Sequence, residues 1–382
     1  MTPQQLVPSL FRTRVIAWAA AVLGSLGIAA DATAAFNPIN DILVSDFTVF
    51  VQGDMAFGGH VHGATAIGGD LRLTSGNVEF GHEKAGNFKV AATDPFFTTL
   101  VVGGGFDTTS TGTAKLQNNG WMTLGQTAGT HLWDENTYTR DTLNHWTTEP
   151  DSPIRFKITK EGSAFHSQPS ISANVAQAAT YITRNSGIDF GAQFSSLRSS
   201  SNLVASLADS RQTRSDAYTW NGTALSINLG AGYTLIDLTA SQFASISQVS
   251  INGTLSSTSS VIFDVSGSTV NFGNWNLQDK GEGASPYVLF NFAEATSVSL
   301  GAQLLYGSVL APNALVTRAD SSQNFSGQII AAGFSQVGTS EIHYYPLDVQ
   351  VPEPTAYASL FGVAGLCLAV WRRRSPSRIA RR

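Results

Sequence analysis

Gly53-Asp54-Met55-Ala56-Phe57 returns as Gly69-Asp70-Leu71-Arg72-Leu73 sixteen residues on, and Gly307-Ser308-Val309-Leu310-Ala311 returns as Gly327-Gln328-Ile329-Ile330-Ala331 twenty residues on. Each copy is a glycine followed by a short apolar or alternating run, the pattern of a β-strand entered through a tight corner. A recurrence of 16 to 20 residues suits one coil of a β-solenoid, where each coil stacks its small and apolar residues on the next.

The flanking sequence carries the same signal. Phe47-Thr48-Val49-Phe50-Val51 is strand-like, although it alternates less cleanly than residues 70–74. From Ala224 onward come Leu225–Leu229, Tyr233–Leu238, Val249–Asn252, Val261–Val265, Val270–Phe272 and Tyr287–Phe292, which supply the Val, Ile, Leu and Phe of a parallel ladder. Between these sets the period changes. Ile171, Val175 and Ala179 are four apart, and Ile188, Phe190, Phe194, Leu197, Leu203 and Leu207 lie at roughly helical spacings. These spacings predict helices at about 171–184 and 189–209. Residues 106–162 are polar, with Trp121, Trp133 and Trp146, and read as an excursion from the stack. The expected fold is mainly β: a right-handed parallel β-solenoid over residues 35–350, an α-helical insert packed alongside, and terminal signal and transmembrane helices. A β-sandwich is the structural alternative.

Of 382 residues, 13% are charged, about half the usual share, and 42% are apolar. Eight of the 22 basic residues lie at the two ends. Between Ala35 and Gln350 there are 14 basic and 25 acidic residues, a net of −11. So acidic a body is a poor partner for a phosphate backbone, which argues against nucleic-acid binding. The single cysteine, Cys367, excludes a disulfide framework and reads as a small apolar residue within an apolar segment.

The two ends read as addresses. Arg12 and Arg14, the uncharged run Val15–Ala30 and the small-x-small step Ala32-Thr33-Ala34 form a secretory signal, with the mature chain expected to start at Ala35. At the other end, Val351-Pro352-Glu353-Pro354 precedes the uncharged stretch 355–371. Seventeen residues as a helix span about 25 Å, the short end of a transmembrane helix. Arg372, Arg373 and Arg374 open a cluster of six arginines in the last eleven residues, which the positive-inside rule keeps cytoplasmic. Pro352, Glu353 and Pro354, the apolar helix with Gly362 and Gly365, and the arginine cluster together resemble the PEP-CTERM sorting signal of Gram-negative bacteria. The resemblance implies an exosortase-type membrane enzyme as partner, transient anchoring in the inner membrane, and delivery to the cell surface or extracellular matrix.

A second resemblance covers the body. Residues 46–54, the Gly58-Gly59 and Gly68-Gly69 steps, residues 289–296, residues 307–314 and Glu341-Ile342-His343-Tyr344-Tyr345-Pro346 resemble the choice-of-anchor A domain. That family implies an adhesive domain with a helix beside a coil stack, similar to the bacterial ice-binding solenoid fold.

Chemistry is sparse. His60-Val61-His62 in a strand puts two imidazoles on one face, with His82, Glu83 or Asp70 available as a third ligand from a neighbouring coil. The expected reading is nonetheless two exposed histidines at a glycine-rich corner, with no resident metal and no cofactor. Asp134, Glu135, Asp141, Glu149 and Asp151 form an acidic cluster without the D-x-D-x-D-G spacing of a calcium loop. There is no G-x-S-x-G, Walker loop or H-E-x-x-H. Threonines cluster, as at Thr108-Thr109-Ser110-Thr111, rather than forming regular rows suited to an ice surface. The sequons at Asn221, Asn252 and Asn324 carry no weight in bacterial export. The sequence therefore points to an exported adhesive or structural surface protein, not an enzyme, with an extracellular polysaccharide as candidate partner for Trp121, Trp133, Tyr138 and Trp146. A polysaccharide-active enzyme on a β-helix and an ice- or surface-binding solenoid are the alternatives.

Overall fold

The computed structural model describes residues 35–39, 42–94, 97–118, 120–134, 156–160, 182–209, 217–319 and 323–352. The signal segment with Ala32 and Ala34, Glu353 and Pro354, the apolar stretch 355–371 with Cys367, Arg372–Arg374 and most of the helix expected at 171–184 lie outside the described residues. Among the described residues no helix is long and apolar enough to cross a membrane. The chain divides into two units, the body Asn37–Gln350 and a unit of both chain ends. In the second unit β1 (Ala35–Phe36) pairs antiparallel with the last strand, β26 (Val351–Pro352), and Ala35 lies opposite Pro352.

The body is built of coils. After α1 (Ile42–Ser45), the first coil is β2 (Phe47–Val51), β3 (Met55–Phe57) and β4 (His60–His62). The second is β5 (Ala64–Ile67), β6 (Leu71–Leu73) and β7 (Asn77–His82). The third is β8 (Thr98–Val102), a bridge from Phe106 to Leu71, and β9 (Thr113–Leu116). β10 (Trp121–Leu124) begins a fourth. β11 (Thr130–Asp134) and β12 (Phe156–Lys160) then fold back antiparallel, with β12 on β9. Residues 113–124 thus belong to the stack, although their polarity reads as loop. In β9 buried Ala114 and Leu116 alternate with half-buried Thr113 and Lys115, and in β10 Met122 and Leu124 enter the core.

α2 (Phe190–Asp209) follows. A small sheet of β13 (Tyr218–Trp220), β14 (Ala224–Asn228) and, further on, β16 (Gln248–Asn252) encloses β15 (Gly232–Thr239) and α3 (Ala240–Ser245) in the chain. Coils then resume with β17 (Ser259–Ser266), β18 (Thr269–Asn271), β19 (Val288–Asn291), β20 (Ser297–Ser299), β21 (Leu305–Tyr306), β22 (Ser308–Arg318), β23 (Phe325–Ser326), β24 (Ile329–Gln336) and β25 (Glu341–His343).

Parallel pairing stacks these coils into three faces. The first runs β10-β8-β5-β2-β24-β22-β19-β17-β15. The second runs β18-β20, the far halves of β22 and β24, then β3-β6. The third runs β9-β7-β4-β25-β23-β21. The sequence repeats are the coil registers: Met55 pairs with Leu71 and Val309 with Ile329. In every face the stack changes direction at one place. The first coil lies between the second and the last, so β2, β3 and β4 meet β24 and β25 in the middle of the stack. We call this junction the seam.

The repeated Gly-Asp corner has a bonding role. Asp54 Oδ1 accepts from the Asp70 amide at 2.8 Å, and Asp70 Oδ1 accepts from the Gly105 amide at 2.8 Å. Each aspartate thereby caps a backbone donor of the next coil, where the strand ladder has ended. Glycine precedes it because a side chain has no room: a Cβ on Gly69 would lie 2.2 Å from Asp54 Oδ1.

The uneven alternation of Phe47–Val51 also has a cause. Every residue of β2 is buried. Val49 and Val51 point into the core, whereas Phe50 lies under α2, its ring 5.3 Å from Phe190 and 5.6 Å from Phe194. A strand covered on both sides has no polar face to display. α2 buries Phe194, Leu197, Ser201, Val204 and Leu207 along one stripe.

Candidate functional site

With the first face covered by α2, two faces remain to carry function. On the second face the inward row is Val270, Val298, Val316, Phe334, Met55 and Leu71, all in the core. Outward, one row reads Asn271, Ser299, Thr317, Ser335, Ala56 and Arg72, and a shorter one Thr269, Ser297, Leu315 and Gly333. The side chains are short and mostly polar, Leu315 is 49% exposed, and Arg72 is the only charge in either row.

The third face is the opposite in character. Its inward row is Leu305, Phe325, Ile342, Val61, Phe80 and Leu116. Outward, one row reads Glu341, His60, Glu79 and Lys115, in register across four strands. Beside it run His343, His62 and His82.

His82 reaches this row through a β-bulge. His60 pairs with Glu79 and Val61 with Phe80, but His62 pairs with His82, so Gly81 is the extra residue. Its φ of +74° is a left-handed conformation that glycine adopts without strain. Strict alternation from Glu79 would send residue 82 inward; the bulge re-aims it outward.

The result is a continuous imidazole–carboxylate network. His82 Nδ1 is 2.9 Å from Glu79 Oε2, and Lys115 Nζ is 3.4 Å from Glu79 Oε1. Gln117 also donates to Glu79. His60 Nδ1 lies between Glu341, at 3.4 Å, and Glu79, at 3.8 Å. His62 Nδ1 is 3.3 Å from Glu83, and its Nε2 is 3.6 Å from Glu341 Oε2. His343 Nε2 is 2.9 Å from Glu341 Oε2, and its Nδ1 is 2.5 Å from Glu282 Oε1. The His62 and His343 rings stack at 4.2 Å between centroids.

The network shifts its own charges. Burial alone raises the Glu79 carboxyl, but the His82 hydrogen bond and the His60 and Lys115 charges outweigh it and hold the group at about 2. The Glu79 hydrogen bond lifts His82 above its ordinary value, against the pull of burial. His62 goes the other way. Burial, reinforced by His343, pushes it down to about 4, so it is a neutral imidazole near pH 7.

The structure brings His60, His62 and His82 together, as their spacing suggests, but not as exposed corner residues. His62 is 6% exposed, because β4 is flanked by strands on both sides. Of the third ligands offered by the sequence, His82 and Glu83 are adjacent, whereas Asp70 is committed to its corner. Two sets of three potential ligand atoms lie within 4.8 Å of one another: His60, Glu79 and His82, and His62, Glu341 and His343. Sequence reasoning missed Glu79, Glu341 and His343 as partners. The alternation Glu341-x-His343 matches His60-x-His62, but the pairing of first and last coils is needed to join them. Trp121 packs against the core. Tyr138, Trp146, Glu135, Asp141, Glu149 and Asp151 lie outside the described residues.

A family model described as "Putative Ice-binding-like adhesive domain" matches residues 41–344. Neither a curated protein nor a solved structure matches the chain.

Proposed function

The chain belongs to that ice-binding-like adhesive domain family, and from this membership we propose that it is a surface protein that holds extracellular material through the second face of its coil stack, without turnover. The observation that carries the reading is the pair of outward rows on that face. Residues such as Ser299, Thr317, Ser335 and Ala56 lose little side-chain entropy when a partner covers them. Their strand-to-strand repeat, about 4.8 Å, presents hydroxyl and amide groups at regular intervals to an extended partner. Such a partner is an extracellular polysaccharide of the biofilm matrix. The Ser, Asn and Ala of the long row, with the single threonine Thr317, supply no threonine array for an ice surface.

An enzyme reading has less support. Sugar hydrolysis needs two converging carboxylates. The open depression beside β16, lined by Gln248, Ser250, Asn252, Asn274 and Trp275 among others, has one carboxylate, Asp279, among the described residues. The carboxylates of the third face are engaged by imidazoles.

The test is retention on matrix polysaccharide by the purified protein, against a Ser299→Lys/Thr317→Lys variant. Two positive charges added to a row whose only charge is Arg72 are expected to change retention at least about tenfold, equivalent to about 1.4 kcal/mol. Unchanged retention, or shortening of the polymer by the wild-type protein, overturns the reading.

We further propose that the chain is exported and sorted as its ends suggest, with a signal peptide removed before Ala35, passage through the inner membrane by the segment 355–371, and recognition of Pro352, Glu353 and Pro354 by an exosortase-type enzyme. The pairing of Ala35 with Pro352 supports this, since both processing points then flank one two-stranded ribbon.

A further inference from the structure

We infer that His62, Glu341 and His343 form a binding site for a divalent transition ion of the zinc class, and that the ion bridges the first and last coils at the seam. This goes beyond the adhesive reading and does not depend on it.

The donor set is two imidazole nitrogens and one carboxylate oxygen, which suits zinc and its neighbours better than calcium or magnesium. The three ligand atoms lie within 4.8 Å of one another. Glu341 Oε2 is 2.9 Å from His343 Nε2 and 3.6 Å from His62 Nε2, so side-chain adjustments alone can close them on one ion.

The surroundings orient these ligands. Behind His343, Nδ1 faces Glu282 at 2.5 Å, and Glu282 is itself held by the Ser326 hydroxyl at 2.7 Å and the Tyr345 hydroxyl at 3.1 Å. Behind His62, Nδ1 faces Glu83 at 3.3 Å. A carboxylate on Nδ1 fixes the tautomer that keeps the lone pair on Nε2, and it strengthens that nitrogen as a ligand. At His343 the Asn324 amide nitrogen, 3.2 Å from Nε2, is the neighbour an ion would displace. Both rings present Nε2 to the same carboxylate oxygen. His62 is 6% exposed, and its Nε2 is buried without a hydrogen-bond partner. A buried ring nitrogen without a partner is costly, and a metal ion supplies the partner. Three protein ligands leave a fourth position for water or an outside donor.

The neighbouring trio is a different object. In His60, Glu79 and His82 the carboxylate already binds His82, Gln117 and the Lys115 ammonium. A positive charge 3.4 Å from the ligand oxygen opposes a second cation, so this trio works as an ion-pair network.

The experiment is a calorimetric Zn2+ titration of the full chain after chelator treatment. One ion per chain is expected. Glu341→Gln and His343→Ala should each weaken binding at least tenfold, and Glu282→Gln by about 10- to 100-fold through its hold on His343. His82→Ala should leave the affinity close to wild type. Where a ligand variant does not fold, as read by circular dichroism, the wild-type protein loaded with Co2+ should show the visible absorption of a four-coordinate nitrogen–oxygen site. Absence of stoichiometric uptake, absence of that absorption, or loss of binding with His82→Ala but not with Glu341→Gln overturns the assignment.

Discussion

Gly81 shows how one residue sets the chemistry of a face. Its left-handed φ of +74° makes the bulge that turns His82 outward, and a Cβ there would lie 2.6 Å from Thr99 Cγ2. Gly81→Ala should therefore lower stability by about 1–3 kcal/mol, read as a lower urea midpoint with an unchanged slope. It should also break the His82–Glu79 contact, which histidine NMR titration reports as a fall in the His82 pKa toward its ordinary value. A variant with wild-type midpoint and titration would show that the bulge is not held by glycine. At this scale the sequence was partly legible. His60-x-His62 announces two imidazoles on one face because strand alternation is local. The burial of His62, and its meeting with Glu341 and His343, depend on which strands flank β4, and no local pattern encodes that.

Among the elements, α2 is the one whose role follows most directly from its sequence. The spacings of Phe190, Phe194, Leu197 and Leu207 predict a helix at 189–209, and Phe190–Asp209 is helical. Its target is legible only in hindsight, in the apolar outward positions of β2. Phe194 is fully buried, stacked on Phe50 with its ring planes at 14°. At its polar centre, Asn291 accepts from the Ser201 hydroxyl at 2.7 Å and donates to the Ser201 carbonyl at 3.0 Å. Arg198 reaches past the end of β2 to Asn313, at 2.7 Å. Phe194→Ala should cost about 3–5 kcal/mol, as for other buried phenylalanines, and should expose α2 to limited proteolysis before the coils unfold. Loss of stability without earlier cleavage in α2 would mean that helix and stack unfold as one unit. β9 and β10 were harder to read because each is only four residues long and carries just two inward core residues, Ala114 and Leu116 in the one and Met122 and Leu124 in the other.

At the scale of the whole molecule, the repeats at 16 and 20 residues encode the coil and are silent about the order of coils. A spacing fixes the register between neighbours in the chain. The contact of β2, β3 and β4 with β24 and β25 joins opposite ends of the body, and it arises because both edges left by the two runs of coils need a partner. Processing also belongs to this scale. The intact mass of the surface-extracted protein is expected to correspond to a chain beginning near Ala35 and ending near Pro354; a species that keeps Trp371 and the arginine tail would show that the tail serves only as an anchor. Under the C-terminal sorting proposed above, the seam has a mechanical meaning. Past β26, tension on the C-terminal end reaches β25 first among the strands of the body and then β24. In a stack whose last coil lay at the tip, such a pull would peel coils away one after another, each through a single ladder of hydrogen bonds. Here β25 is held between β4 and β23, and β24 is gripped by β2 and β3 on one side and by β22 on the other. Extracting a strand loaded from that end must rupture both sides together, so the coil nearest the C-terminal end is gripped from both sides.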